Sequence, residues 1–304
     1  MSWFWLSVLA LLCWSGSDLF SKIGCRDADD RTSHLKMVVA VGIVMGLHAA
    51  VEVFFQGVEI NFSILLTYLP VSLLYILSMA IGYFGLRYIE LSVSSPICNS
   101  SGALVAILTI LTAGLRSVNS WQLGATALVC VGVVGLGIVE MREDDEARAA
   151  RQSISNYKYA KSLIAILIPV LYCVLDAAGT FADSLVLETL DEDSANVAYE
   201  LTFLLAGLVC LAVLLIRRER FLVKREVPKY VGACFETAGQ LAYIYALADS
   251  EHVAMSAPII SAYCVASVVW SRIFLREKLS WKHYAMIAVA VVGIVVLGLF
   301  DELG

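Results

Sequence analysis

Ten stretches of about 20 predominantly apolar residues dominate the sequence, and they restrict the chain to a membrane-embedded fold. Unpaired backbone polar groups are costly in lipid, so an open chain crosses a bilayer as α-helices. The predicted spans are 3–22, 36–56, 64–86, 94–115, 120–140, 161–181, 195–216, 228–248, 253–274 and 281–300. We therefore predict an all-α, polytopic membrane protein of ten transmembrane helices.

The composition supports the membrane class and argues against several other classes. Hydrophobic residues make up 60% of the chain and charged residues 16%, against about 25% charged in soluble domains. The 27 acidic residues exceed the 21 basic ones, whereas nucleic-acid binding needs a basic surface, so we predict no nucleic-acid partner. The 8 cysteines form no CxxC pair, and the sequence predicts no disulfide framework, metal site or cofactor.

The basic residues predict an orientation in the membrane. Of the 21 Lys and Arg residues, 20, including Lys36 and Lys229, lie in the connections that follow odd-numbered spans or in the span ends next to them. Cytoplasmic loops carry an excess of Lys and Arg, so these connections are predicted to be cytoplasmic and both termini outside. The opposite face is acidic and includes Asp183 and Glu188. We expect a multi-pass protein of the plasma (inner) membrane.

A charged stretch, residues 142–160, divides the chain into two halves of five spans each. We predict two repeats, 1–141 and 161–304, joined by this linker. Because five is an odd number, the second repeat enters the membrane from the opposite side and the pair is inverted. Many secondary transporters are built from such repeats, with the substrate bound near the midplane between them.

Matching residues at a nearly constant spacing support the duplication. The alignment pairs Glu90 with Glu251 at an offset of 161, and it pairs Pro96 with Pro258 at 162. Trp121 meets Trp281 at an offset of 160. Proline and tryptophan are rare in this sequence, with 5 and 6 copies, so their alignment favours a repeat over coincidence.

Four segments resemble EamA-type members of the drug/metabolite transporter superfamily. They are WSGSDLFSK at 14–22, the Ser-x-Pro motifs at 94–96 and 256–258, and REKLSW at 276–281. The first half departs from the pattern at 115–120, which lacks the glutamate found at Glu277. The resemblance implies a carrier that exports or exchanges small metabolites, in a family whose substrates vary widely.

Polar residues inside the spans are the candidates for substrate binding, because an ionisable group there costs about 2.5–3.5 kcal/mol on insertion scales. Glu236, Gln240 and Tyr243 are spaced i, i+4 and i+7 and share one face of span 8. Such a stripe could bind an ammonium or hydroxyl group of a substrate. The alternative is a hydrogen-bond cluster that only fixes helix packing.

The repeat and a proline extend the predicted site. Asp176 lies seven residues after Pro169 in span 6. Asn99 and Tyr263 belong to the serine-rich segments around the Ser-x-Pro motifs of the two halves, and Tyr75 corresponds to Glu236 at an offset of 161. The predicted substrate-binding residues are therefore Glu236, Gln240, Tyr243, Asp176, Asn99, Tyr263 and Tyr75.

Other polar residues are predicted to be structural. Asp18 and Lys22 are spaced for a local ion pair in span 1, and Glu200 is expected to be a solvated charge at a helix start. His48 and Glu52 are spaced to share a proton at the end of span 2. Glycines in spans 5 and 10 predict close helix packing, either within the chain or in a homodimer.

The sequence thus predicts a secondary transporter that moves a small polar or amphipathic metabolite. Energy would come from a substrate gradient or a coupled proton or other ion. The chain is predicted not to be an enzyme. The alternative is a membrane-embedded enzyme acting on a lipid-linked substrate, although the 4 histidines are scattered over separate elements. A channel is disfavoured because no filter-like segment interrupts a span.

Overall fold

The computed structural model describes residues 2–25, 30–88, 91–113, 119–142, 163–275 and 279–303, and all regular structure in these ranges is helical. The first half contains α1 (Trp3–Cys25), α2 (Ser33–Val51), α3 (Phe62–Tyr88), α4 (Leu91–Cys98), α5 (Ser101–Ala113) and α6 (Ser120–Met141). The second contains α7 (Leu163–Val186), α8 (Glu192–Ile216), α9 (Val223–Leu247), α10 (Val253–Ser261), α11 (Tyr263–Trp270) and α12 (Trp281–Leu303). Single π-helical turns extend α2 over Glu52–Gln56 and α11 over Ser271–Leu275.

Eight segments of the described chain are long and apolar enough to cross a membrane. Two further predicted spans, 228–248 and 281–300, are also helical, as α9 and α12. The polar residues of α9 lower its apolar character, and the apolar part of α12, Trp281–Leu297, is shorter than a typical span. The all-helical membrane class is therefore confirmed, while the number of ten spans stays a prediction.

Helices of the two halves interleave. The most extensive contacts join α1 to α9, α2 to α8, α6 to α12, α3 to α7, α2 to α9 and α5 to α10. Large apolar side chains such as Leu47, Leu111 and Ile216 remain mostly exposed on the outer faces of the bundle. Such an apolar surface is suited to lipid rather than water.

Glycines allow helix pairs between the two halves to approach closely. A Cβ atom placed on Gly132 of α6 would lie 2.6 Å from the Cβ of Ala290 in α12, and one on Gly293 would lie 2.7 Å from Val129. In the α2–α8 pair, a Cβ on Gly42 would lie 2.6 Å from the carbonyl oxygen of Phe203. Gly132 of span 5 and Gly293 of span 10 therefore pack within the chain. The homodimer stays a prediction.

Buried charges connect the first loop to α2 and α9. Lys36 Nζ lies 2.9 Å from Asp30 Oδ1, and Lys229 Nζ lies 3.6 Å from Asp30 Oδ2 and 3.1 Å from Glu226 Oε2. Both lysines are buried, although the sequence suggested basic residues in solvated loops. A lysine charge is removed from water only when a carboxylate compensates it, so the cluster fixes these three segments together.

The pKa of Asp30 reflects this cluster. Burial raises the pKa of the Asp30 carboxyl group, but the hydrogen bond and charge of Lys36 and the charge of Lys229 outweigh that effect, and the net pKa lies below its ordinary value. A carboxylate with a lowered pKa stabilises the fold above its unfolded pKa and loses that contribution as the pH falls through its folded pKa.

The glycine contact can be tested with Gly132→Ala and Gly124→Ala in the same helix. No atom outside the local helix lies within 4 Å of a Cβ on Gly124. We expect Gly132→Ala to lower the free energy of unfolding by about 1–3 kcal/mol because α6 and α12 must separate. Gly124→Ala should be neutral or gain up to about 1 kcal/mol of helix propensity. Thermal unfolding in one detergent measures both, and equal melting temperatures for the two variants would contradict the close contact.

The ion cluster predicts a pH-dependent effect of Asp30→Asn. At neutral pH the variant should lose about 1–3 kcal/mol of unfolding free energy, because two buried lysines lose one partner. The difference from the wild type should shrink as the pH falls from about 7 toward about 3, where the wild-type carboxyl group is itself protonated. Unfolding of both proteins is measured across this range, with Glu188→Gln as an exposed control. A difference that does not change with pH contradicts the role of the charge.

Candidate substrate cavity

A cavity of about 80 Å³ lies between the two halves. Its wall is formed by α1, α3 and the α4–α5 segment of the first half and by α7, α8, α9 and the α10–α11 segment of the second. All seven residues predicted for substrate binding line this cavity: Glu236, Gln240, Tyr243, Asp176, Asn99, Tyr263 and Tyr75. The structure thus brings the predicted residues together, and their role in binding stays a prediction.

Glu236 is the carboxylate that α9 contributes. Its spacing with Gln240 and Tyr243 directs all three side chains to the cavity, while the start of the same helix carries the buried charges at the bundle end. Ser17 of α1 donates a hydrogen bond of 2.6 Å to Glu236 Oε2. This bond joins the first half to the second at the cavity wall.

Asp176 and Asp18 supply two further buried carboxylates. Ser101 of α5 donates to Asp176 Oδ2 at 2.7 Å. Asp18 Oδ2 accepts hydrogen bonds from Ser95 at 2.6 Å and from Ser267 at 2.8 Å. Each carboxylate is therefore held by serine hydroxyl groups rather than by a basic side chain.

Asp18 was not among the residues predicted for the site. The sequence suggested a local pair with Lys22, but Lys22 Nζ donates to the carbonyl oxygen of Leu86 at 3.0 Å, and Asp18 faces the cavity. The spacing Trp14, Asp18, Ser21 places these residues on one face of α1, and this amphipathic stripe was the signal that could have found the site.

Both broken helices border the cavity. The fourth span is interrupted at Asn99–Ser100, between α4 and α5, and the ninth at Ala262, between α10 and α11. Asn99 Nδ2 donates to the carbonyl oxygen of Ser95 at 2.7 Å, so this side chain supports the local backbone as well as lining the cavity. Interrupted helices near the midplane are a common feature of transporter binding sites.

Aromatic rings form much of the remaining wall, and glycines make space for them. The Trp14 ring centroid lies 5.0 Å from that of Tyr243 and 5.8 Å from that of Tyr263. A Cβ on Gly239 would lie only 2.4 Å from the Trp14 ring, and one on Gly179 would lie 3.0 Å from the Tyr75 ring. A larger residue at either glycine would displace a cavity side chain.

A tyrosine–carboxylate network lies beside one end of the cavity. Tyr68 donates to Asp183 Oδ1 at 2.8 Å, and Tyr75 donates to Thr180 at 3.1 Å and also hydrogen-bonds Tyr243. Asp183 is fully buried. Asp183, which the sequence assigns to the acidic face, is therefore not open to solvent, because the tyrosines of α3 cover it.

Glu200 is buried too and belongs to a separate cluster. Its carboxylate lies 2.9 Å from His48 Nδ1, and His48 Nε2 lies 3.5 Å from Glu52. The prediction of a solvated Glu200 was wrong, because α2 packs over the start of α8. The pairing of His48 with Glu52 is confirmed by this distance. None of the three lines the cavity.

Several polar groups of the cavity wall lack a hydrogen-bond partner among the described residues. They are Trp14 Nε1, Ser21 Oγ, Tyr83 Oη and Gln240 Nε2. Buried donors without partners are costly, so groups of this kind are expected to bind water or a ligand. The described residues contain no group of three or more His, Cys, Asp or Glu side chains that could hold a metal ion.

Comparisons with known structures support the architecture. Among solved structures, 28 chains match this fold. One crystal structure of a protein superposes with a TM-score of 0.66 and 14% sequence identity, covering 99% of this chain and 97% of that chain. At this identity the similarity shows a shared fold and not a shared substrate. A comparison with curated protein sequences gives no match.

A family match identifies the second half of the chain. Residues 163–299 match the EamA-like transporter family. This segment includes α7 to α11, which contribute Asp176, Glu236 and Tyr263 to the cavity. The match confirms, for residues 163–299, the resemblance to EamA-type transporters seen in the sequence.

Proposed function

We propose that the protein is a secondary carrier that exports or exchanges small polar or amphipathic metabolites across the plasma membrane. The observation that carries this proposal is the buried cavity between the two halves, with three carboxylates and several unpaired polar groups in its wall. Polar groups at this depth are retained for a reason other than stability, because an apolar packing would cost less. The family match to transporters agrees with this function.

Alternating access between two inverted five-helix repeats is the proposed mechanism. The helix contacts support it, because the main contacts between the halves persist when each helix is exchanged for its counterpart in the other half. The α1–α9 contact corresponds to the α7–α3 contact, α5–α10 corresponds to α11–α4, and α2–α8 and α6–α12 correspond to themselves. Such a pattern is expected of repeats related by a pseudo-twofold axis.

Two networks at opposite ends of the cavity are suited to closing it on one side of the membrane at a time. The Asp183–Tyr68 pair joins α7 to α3 at the end of the acidic connections, and the Lys229–Asp30 pair joins α9 to the loop after α1 at the basic end. The cavity extends from Tyr75 toward Ser21 and Leu86, near the basic ends of α1 and α3. We infer that this conformation is closed on the acidic side, where Asp183 is covered.

A coupled proton is part of the proposal. Glu236, Asp176 and Asp18 can each bind a proton in place of a cationic group, since no basic residue among the described cavity residues neutralises them. An enzymatic function is not favoured, because none of the histidines lines the cavity and the family is one of transporters. The substrate is recognised by contacts with the seven predicted residues and Asp18.

The role of Glu236 can be tested with Glu236→Gln in cells that produce the protein at equal membrane abundance. We expect at least a tenfold loss of export, because an amide cannot supply the charge or accept a proton. The measurement is a comparative metabolite profile of the medium, with Glu188→Gln as a matched exposed control. A profile unchanged by Glu236→Gln in a normally folded protein would refute the proposed role.

The acidic-side closure can be tested through Cys98, which lines the cavity. In a protein whose other seven cysteines are replaced by alanine, Tyr68→Phe removes the donor to Asp183 and should favour opening of this side. We expect a membrane-impermeant thiol reagent applied from the acidic side to label Cys98 several times faster in the variant. If Cys98 is labelled as slowly in the Tyr68→Phe variant as in the single-cysteine protein that retains Tyr68, the Asp183–Tyr68 network does not close the acidic side.

A further inference from the structure

The charge of the cavity restricts the kind of ligand that it can bind more than its volume does. Three carboxylates, those of Asp18, Asp176 and Glu236, belong to three different helices and line the same space. Among the described residues of the cavity wall there is no lysine, arginine or histidine. The acidic character is therefore not balanced within the site itself.

The hydrogen bonds of the carboxylates leave part of each group available. Glu236 is bonded through Oε2, whereas Asp18 and Asp176 are bonded through Oδ2. The second oxygen atom of each carboxylate accepts no hydrogen bond from the described residues. Neutral hydroxyl donors compensate a buried charge much less than a cation does, so the site is suited to a positively charged ligand.

The aromatic wall fits the remainder of such a ligand. Rings of Trp14, Tyr83, Tyr172 and Tyr263 line the cavity beside the carboxylates. The faces of aromatic rings attract ammonium groups and also pack against apolar carbon atoms. The unpaired Tyr83 hydroxyl and Gln240 amide groups are available to a hydroxyl or carbonyl oxygen of the ligand.

We propose that the substrates of this cavity are small organic ammonium ions, in which the amine binds among the three carboxylates and an apolar or aromatic portion packs against the rings. A volume of about 80 Å³ in this conformation admits several water molecules or a small amine head group. The inference rests on the proposed carrier function and narrows its substrate class from metabolites in general to cations.

Matched pairs of opposite charge test the proposal on the purified full-length protein in lipid nanodiscs. Three pairs are suitable: tyramine with 3-(4-hydroxyphenyl)propanoate, phenethylamine with 3-phenylpropanoate, and tryptamine with indole-3-propanoate. Within a pair the ring and chain are closely matched and the charge is reversed. We expect at least one amine to bind at least tenfold more tightly than its carboxylate partner, as measured by equilibrium dialysis with labelled compounds.

Substitutions of Asp176 test whether amine binding depends on the carboxylates of the cavity. Asp176→Asn should weaken amine binding at least tenfold, Asp176→Glu should retain most of it, and the exposed control Glu188→Gln should leave it unchanged. Gel filtration and thermal unfolding verify that each variant folds. Amine binding that is unaffected by Asp176→Asn in a folded protein contradicts the site.

The cation proposal and the carrier proposal fail in different ways. If carboxylates bind as tightly as amines, or if no amine binds, while Glu236 still controls export of some compound, the cation proposal is wrong and the carrier proposal stands. If no amine binds and the export profile is independent of Glu236, both are wrong. Preferential amine binding that depends on Asp176 supports the cation proposal whatever the direction of transport.

Discussion

Three carboxylates buried in an apolar bundle are the constraint on which the site depends. An ionised carboxylate removed from water is unfavourable by several kcal/mol unless other groups compensate it. Here the compensation comes largely from the other half of the chain: Ser17 of α1 serves Glu236 of α9, and Ser101 of α5 serves Asp176 of α7. The contact between the halves and the state of the carboxylates are therefore linked. A proton or a cation that binds a carboxylate changes the hydrogen bonds that hold the halves together.

Small residues at the helix contacts increase the importance of these hydrogen bonds between the halves. Contacts such as Gly42 against the backbone of α8 and Gly132 against Ala290 leave few long side chains between the helices. Lipid provides no hydrophobic drive for helix association, so these surfaces are held by van der Waals contact and by a few polar bonds. Breaking or forming one or two such polar bonds therefore changes a substantial part of the interaction energy between the helices. This packing is compatible with the proposed alternating access, in which a small ligand changes the conformation of the bundle.

The sequence predicted which residues meet in the cavity better than it predicted the surroundings of individual charges. Polar residues are rare within apolar helices, so Glu236, Asp176 and Asn99 stood out without any knowledge of the fold. Polar residues that are buried near helix ends could not be recognised in this way from the sequence. Asp183, Glu200 and Lys229 look like solvated residues of connections because their partners, Tyr68, His48 and Asp30, are distant in sequence or outside the helices. Spacing along one helix identifies a face, but only the tertiary packing decides what covers it.

In the proposed repeat, the two ends of the cavity carry different residues at equivalent positions. At an offset of 161, Lys22 corresponds to Asp183, and Tyr68 corresponds to Lys229. These equivalent positions take part in a tyrosine–carboxylate bond on the acidic side and in lysine contacts on the basic side. A symmetric backbone by itself gives the two conformations of a carrier equal energies. Different chemistry at equivalent positions removes that equality, because a hydrogen bond between a phenol and a carboxylate and an ion pair respond differently to pH and to the membrane potential. The divergence of the two halves at these positions is thus a physical basis for a preferred resting conformation.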